Sequence, residues 1–419
     1  MSIRHACVEV EEVPFVTFRF PGGDEAVFER PDVFAGLKTC DVNRAFYKDL
    51  FLDAGIGLTN RKTLEAAQSL ALSVEGICGD TGPYDGWQQE IIAGTLEDSN
   101  GRLLYPDGQP RYKLLFVNGG RATSHSKAMG ETVLERMRDY YYGGGSYLGT
   151  CAGAFLANSW YGEEESSSIY LRIWPGKMGR SGLTNNKTGI TIVEGSALLD
   201  YCDFGGDMYV ANVRHNGGGY AETFPKGTEV LALYDYPDLP RIDKKPSVWA
   251  YKDRPEYGRI VLCGSHPEEV ASGERLKLTE SMIRYAMDGV GTVPLKAIMR
   301  DGRSLSFVDA SERIGDLQCH HFAFFVPENA ERVELNVHTE ASCEMTVRLC
   351  RQGFAYGGSC EYESTTGGLS VAGLASGIWY ASVQCMTTVD TEETEFGQVY
   401  SGRTDVLNGV AYSVSLSVD

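Results

Sequence analysis

The spacing of apolar and polar positions changes character twice along the 419 residues, and the changes divide the chain. Near the start, FVTFRF alternates with period two, PGGDEA follows, and VFERP extends again. Pro-Gly-Gly between two such runs predicts a hairpin. A helical stretch, NRAFYKDLFLDAGI, comes next, so residues 1–65 read as an N-terminal extension packed on the α/β domain after it. From 66 to 294, helical and strand-like segments alternate. KLLFV (113–117) is a short apolar run of the kind buried in a parallel sheet, NGGRATSHS is a loop, and ETVLERMRDYYY (131–142) has helical spacing that GGG stops. SYLGT (146–150) is the next strand and AGAFLANSWY the next helix. TEVLALY, SVWAY and RIVLCGS are further strands, and LTESMIRYAM (278–287) is a closing helix capped by Thr279 or Ser281. This alternation predicts a mostly parallel sheet with helices on both faces. From 295 to 419 the helical period vanishes. HFAFFVP, RVELNVHT, EMTVRLC, GLSVAGL, GIWYASVQC and AYSVSLSV are short alternating strands, the pattern of an antiparallel β-sandwich.

Length supports the division, since single cores stop growing at roughly 250–300 residues. A net charge of -19 repels nucleic acid and anionic lipid, so neither is an expected partner. No apolar run is long enough to span a bilayer, and MSIRHACVEVEEVPF has no signal-peptide pattern. The eleven cysteines are odd in number and irregularly spaced, with no CxxC pair. They read as reduced thiols in a reducing, cytoplasmic setting, with no cofactor and no metal. Cys350 and Cys360 flank a Gly-rich turn and form a pair if the protein is exported; that alternative stays open. His320 and His321 are neighbours on an alternating strand, face opposite ways, and do not converge on one ion.

The strongest chemical signal is GGGSYLGTCAGAFLA. A strand runs into Gly149-Thr150-Cys151-Ala152-Gly153 and a helix starts at once, which is the G-x-C-x-G form of a nucleophile elbow. Such a turn projects Cys151 above the sheet at a helix N-terminus, which favours an anion, and aims the Ala152 N–H at a developing oxyanion. The second signal is IVLCGSHPEEV (260–270). It sets His266 at a strand end with Glu268 two residues on, a base with a carboxylate to orient it. The third is Asn118-Gly119-Gly120 directly after a buried strand, where Gly119 or Gly120 supplies the other oxyanion donor.

Together, NGG after a strand, GTCAGA at the elbow and GSHPE at the last strand resemble the class I glutamine amidotransferase-like superfamily, and within it the family described as the biotin-protein ligase N-terminal domain. The loop Arg214-His215-Asn216-Gly217-Gly218-Gly219-Tyr220 is similar to that family's asparagine–glycine loop. The resemblance implies a flavodoxin-like fold with a Cys151–His266–Glu268 triad, and a substrate pocket that His215, Asn216 and Gly217 line unless they form only a turn. The chain departs from glutamine amidotransferases in carrying Ala154-Phe155-Leu156 where they carry a glutamine soon after the elbow, and no synthetase or biotin-ligase catalytic domain is recognisable. HHFAFFVPENAERVELNV, MTVRLC and SGIWYASVQC resemble the bacterial pre-peptidase C-terminal domain. That domain type implies an extracellular or periplasmic setting, the alternative to the cytoplasm. Two functions are expected from these readings. One is a cysteine hydrolase acting on a small amide or peptide through a thioester acyl-enzyme. The other is a catalytically silent protein whose β-sandwich and α/β pocket recognise a protein or glycan.

Overall fold

The computed structural model describes residues 100–419 except Arg102, Gly162, Ser167, Ala271, 356–359 and 395–396, and four short strands before residue 42. Two of those strands, Thr17–Arg19 and Glu25–Val27, pair antiparallel, as the Pro-Gly-Gly signal predicts. The other two, His5–Ala6 and Thr39–Asp41, share a sheet with Thr292–Val293. The helix expected over NRAFYKDLFLDAGI lies outside the described residues.

The α/β region is organised by seven strands. In spatial order they are Tyr209–His215, Asn186–Ile192, Thr228–Asp235, Pro246–Tyr251, Ile260–Cys263, Ser146–Thr150 and Leu114–Val117. The last three carry the site and are numbered in chain order: β1 is Leu114–Val117, β2 is Ser146–Thr150 and β3 is Ile260–Cys263. These three run parallel and are fully buried, which explains the unbroken apolar runs of β1 and β3; β2 is buried throughout as well, although Ser146 and Thr150 at its ends are polar. The other four pairings are antiparallel, so among the described strands the sheet is mixed and not mostly parallel. The reason lies in the connections: parallel neighbours need a crossover of a dozen or more residues, and residues 236–245 and 252–259 leave room only for turns.

Side chains of one strand alternate between two cores. Leu115 and Val117 join Tyr147 and Trp249 beneath the helix Ala122–Tyr142, while Leu114 and Phe116 join Leu148 and Val261 beneath the helix Gly273–Met287. Two helix boundaries differ from the sequence expectation. The first helix begins nine residues earlier than 131, because Gly130 (φ 71°, ψ 175°) interrupts a helical run that the sequence pattern shows only beyond the break. The last begins at Gly273, and its residues Thr279 and Ser281 are buried within it and do not cap it; the Thr279 hydroxyl donates to the Arg275 carbonyl at 3.2 Å.

Beyond residue 294 lie a five-stranded and a four-stranded sheet, antiparallel throughout except where Ala297–Ile298 pairs with Cys319–Val326. Both sheets feed one hydrophobic cluster drawn wholly from residue 297 onward. His320 and His321 do point apart. His320 contacts Tyr412 and Asp107, whereas His321 stacks on Phe354 with ring centroids 4.5 Å apart. Among the described residues, no helix is long and apolar enough to cross a membrane.

Candidate active site

Cys151 sits between β2 and a helix of only six residues, Ala152–Ala157; the expected helical run ends there, and Asn158–Tyr161 is a strand. Its backbone has φ 46° and ψ −101°, a conformation rare for any side-chain-bearing residue and worth roughly 1–3 kcal/mol of strain. The flanking glycines make the turn fit. A Cβ on Gly149 would come within 2.6 Å of the Gly153 carbonyl carbon, and one on Gly153 within 1.9 Å of the Val117 carbonyl oxygen. The turn is pinned by the Cys151 N–H, which donates to the Cys263 carbonyl of β3 at 2.8 Å. Cys263 is a buried thiol whose pKa burial drives far upward, so it is inert.

β3 delivers the other side chains. His266 lies just past its end, and the backbone N–H of His266 donates to the Arg214 carbonyl at 2.8 Å. Pro267 opens a single 3-10 turn that swings Glu268 back beneath the ring. The imidazole Nδ1 lies 3.1 Å from Glu268 Oε1, and the Thr150 hydroxyl donates to that same oxygen at 2.8 Å. Glu268 is wholly buried, and its Oε2 has no hydrogen-bond partner among the described residues. The Cys151 side chain is among the groups that act on the imidazole's charge. Burial alone would lower the pKa of His266, but the Glu268 carboxylate and the Cys151 contact outweigh it and hold the ring protonated well above the ordinary histidine range. Gly119 forms the ring's back wall: a Cβ there would stand 2.0 Å from His266 Cε1.

This balance predicts a measurable shift. Replacing Glu268 by Gln removes the opposing charge and leaves the burial, so the His266 pKa should fall below its wild-type value. Imidazole nitrogen shifts followed by NMR across pH would check it, and an unchanged midpoint would remove Glu268 as the cause. The sign carries over to stability. With a raised folded pKa, the pair's contribution is complete below about 6.5 and is lost as pH rises through the folded value.

Cys151 is only 4% exposed and reaches solvent through a cavity of about 640 Å³ lined also by Gly120, Ala152, Phe155, Tyr161, Asn216 and Gly217. Two expected pocket residues therefore line it, and one does not. His215 is fully buried behind the loop, with Nδ1 3.0 Å from the Ser265 hydroxyl and Nε2 2.7 Å from the Ser181 hydroxyl. Burial, with His266 nearby, pushes its pKa down to about 4, so it braces the loop as a neutral ring. Asn216 instead presents its backbone carbonyl 3.6 Å from Cys151 Sγ. Of the oxyanion candidates, Gly120 and Ala152 line the cavity while Gly119 backs the imidazole. Sequence reading missed Thr150, although its place immediately before Cys151 puts it beside the Glu268 carboxylate, and it missed the Phe155–Tyr161 wall, whose rings meet edge to face at 5.5 Å.

The family profile described as "Biotin-protein ligase, N terminal" matches residues 106–165, the stretch that holds β1, β2 and the elbow. A Chlamydia muridarum (strain MoPn / Nigg) protein, itself described as "Uncharacterized protein", is 28% identical over 201 residues, covering 46% of this chain and 74% of its own. Among solved structures, one titled as a glutamine amidotransferase is similar at 16% identity and TM-score 0.37, covering 57% of this chain and 98% of that one. The pre-peptidase C-terminal domain of a Bacillus anthracis collagenase is similar at 13% identity and TM-score 0.18, covering 30% of this chain and 98% of its own.

Proposed function

We propose that the chain is a cysteine-dependent hydrolase of a small amide or peptide, with Cys151 as nucleophile, His266 as base and then acid, and Glu268 as the group that orients His266. The observation that supports this most is the hydrogen-bonded series from Thr150 through Glu268 to His266, ending at a strained cysteine on a cavity. A buried carboxylate shared by a hydroxyl and an imidazole is costly to desolvate, and a purely packing role has no use for it. Cys151 passes its proton to His266 as its sulfur adds to the substrate carbonyl carbon, and the oxyanion is met by the N–H groups of Ala152 and Gly120. His266 gives its proton to the leaving amine, and a thioester remains on Cys151. His266 then takes a proton from water as its oxygen attacks the thioester. The acid departs and the thiol is restored. Phe155 and Tyr161 place an apolar wall beside the sulfur, which suits a substrate other than glutamine.

The direct test is acylation by p-nitrophenyl acetate, with intact-mass measurement and peptide mapping. The wild type should release a stoichiometric burst of nitrophenol and carry its acetyl group on Cys151, and Cys151→Ala should abolish both. Acetylation elsewhere with Cys151 unmodified would sink the assignment and favour a binding role for the pocket.

A further inference from the structure

A second pair of thiols lies far from this site, in the C-terminal sheets. Cys385 ends the strand Gly377–Cys385 and is wholly buried, while Cys343 is partly buried just ahead of the strand Met345–Cys350. The two strands are antiparallel with Met345 opposite Cys385, so Cys343 is the diagonal neighbour of Cys385. Two hydrogen bonds stitch the segments together: Met386 N–H to the Glu344 carbonyl at 2.7 Å, and Glu344 N–H to the Thr387 hydroxyl at 2.9 Å. Arg403 adds a third element. Its Nη2 lies 3.2 Å from Cys343 Sγ, and its guanidinium is fixed by Asp405 at 2.8 and 2.7 Å and by the Ser342 carbonyl. Cys343 is partly exposed and lies between the exposed Ser342 and Glu344, so small reagents can approach.

We propose that Cys343 and Cys385 are an oxidation-sensitive dithiol, in which Cys343 is the sulfur attacked by a hydroperoxide and Cys385 the resolving thiol. A structural pair in a core has no use for a clamped guanidinium aimed at one sulfur. The Arg403 charge and the Cys385 thiol both stabilise a thiolate at Cys343, and thiolates are the species that react. The direction agrees: the Cys385 hydrogen bond, against the opposing effect of burial and with Arg403 adding to it, brings the Cys343 pKa down to about 6, while Cys385 is pushed up.

The chemistry balances with one named oxidant. The Cys343 thiolate attacks one peroxide oxygen, the O–O bond breaks, and hydroxide leaves, giving a sulfenic acid. Cys385 sulfur then attacks the sulfenic sulfur, S–S forms and S–O breaks, and the departing hydroxide takes the Cys385 proton. Two thiols lose two electrons and two protons, and hydrogen peroxide becomes two waters. The bond would tie together the ends of two core strands.

The test uses the full chain treated with hydrogen peroxide at neutral pH and mapped without reduction. A Cys343–Cys385 linked peptide, lost on adding dithiothreitol, is expected. In Cys385→Ser, dimedone should instead capture a sulfenic acid on Cys343. Arg403→Gln should slow that capture at least about threefold, as the thiolate loses its cation. If Cys343 is modified no faster than the partly exposed Cys202, or if it links to a different cysteine, the proposal is overturned. The Cys151 assignment is untouched by either result, because it is read from acylation and not from oxidation.

Discussion

Gly119→Ala is expected to slow acylation of Cys151 by about a hundredfold or more while the fold survives, since a misplacement of about 1 Å at a reacting group costs on that order. The added methyl would stand 2.0 Å from His266 Cε1 and 2.7 Å from Nδ1, separations that no packed atoms hold. Something must move. The ring is held at Nδ1 by Glu268, and the His266 N–H is held by the Arg214 carbonyl. The imidazole can yield only by tilting away from the sulfur or breaking its bond to Glu268. Either motion separates His266 from Cys151 without emptying the core. The p-nitrophenyl acetate burst rate, read beside a thermal melt, distinguishes the cases. A wild-type rate in a folded variant would mean that His266 does not serve Cys151. A collapsed melting transition would assign Gly119 to packing.

A chain ending at Val293 is expected not to reach a cooperative folded state, although the sequence pattern sets a domain boundary near residue 294. The obstacle is Asp107, wholly buried on the N-terminal side of that boundary. Its carboxylate is met by Gln318 Nε2 at 2.7 Å, His320 Nε2 at 3.2 Å and Lys296 Nζ at 3.3 Å. Burial would raise its pKa, but His320 and Lys296 prevail and hold it well below the carboxylate range. Arg111, also buried, donates to the Leu407 carbonyl at 3.0 Å and lies 3.6 Å from Asp316. Truncation removes all of those partners beyond 293. Asp107 keeps the Gln109 N–H at 3.2 Å and Arg111 keeps the Leu104 carbonyl at 2.9 Å, but breaking a buried charge pair costs about 3–5 kcal/mol, a large share of a typical stability of about 5–15 kcal/mol. Size exclusion and a thermal melt of the truncated chain would decide. A monodisperse protein with a sharp transition would refute the argument, and partial recovery in the truncated Asp107→Asn, Arg111→Met chain would support it. The sign of the pH dependence is that of a depressed carboxylate. Its contribution is present above about 3.9 and is lost as pH falls through the folded value, so neutral buffers do not weaken it.

What the sequence disclosed depended on how local the cause was. The elbow was legible because Gly149, Cys151 and Gly153 are one turn, and the carboxylate beside His266 because Pro267 closes a single 3-10 turn between them. Strand β2 was found to the residue, since Gly143-Gly144-Gly145 stops the helix before it and the turn at Cys151 ends it. The sheet's direction was not legible: period-two patterning carries no sign, and only the lengths of the connecting turns told parallel from antiparallel. Gly119 suggested an oxyanion donor because glycine after a strand exposes backbone, but its position against His266 is a contact across more than a hundred residues. The Cys343 dithiol was invisible for the same reason. Its partners, Cys385 and Arg403, come from separate elements, and eleven scattered cysteines offer no spacing to read.

The pairing of β2 with β3 also fixes an order of events in the life of the chain. Thr150 and Glu268, which meet through one hydrogen bond, are 118 positions apart. At roughly 5–20 residues per second, the ribosome delivers the second about 6–24 s after the first. During that interval β2 lacks its neighbour, the Cys151 turn lacks the Cys263 carbonyl that pins it, and His266 has not yet been made. The nascent protein therefore carries Cys151 without the neighbours of its finished site until β3 and the turn after it are added, and the site is assembled only once synthesis has passed the last strand of the sheet.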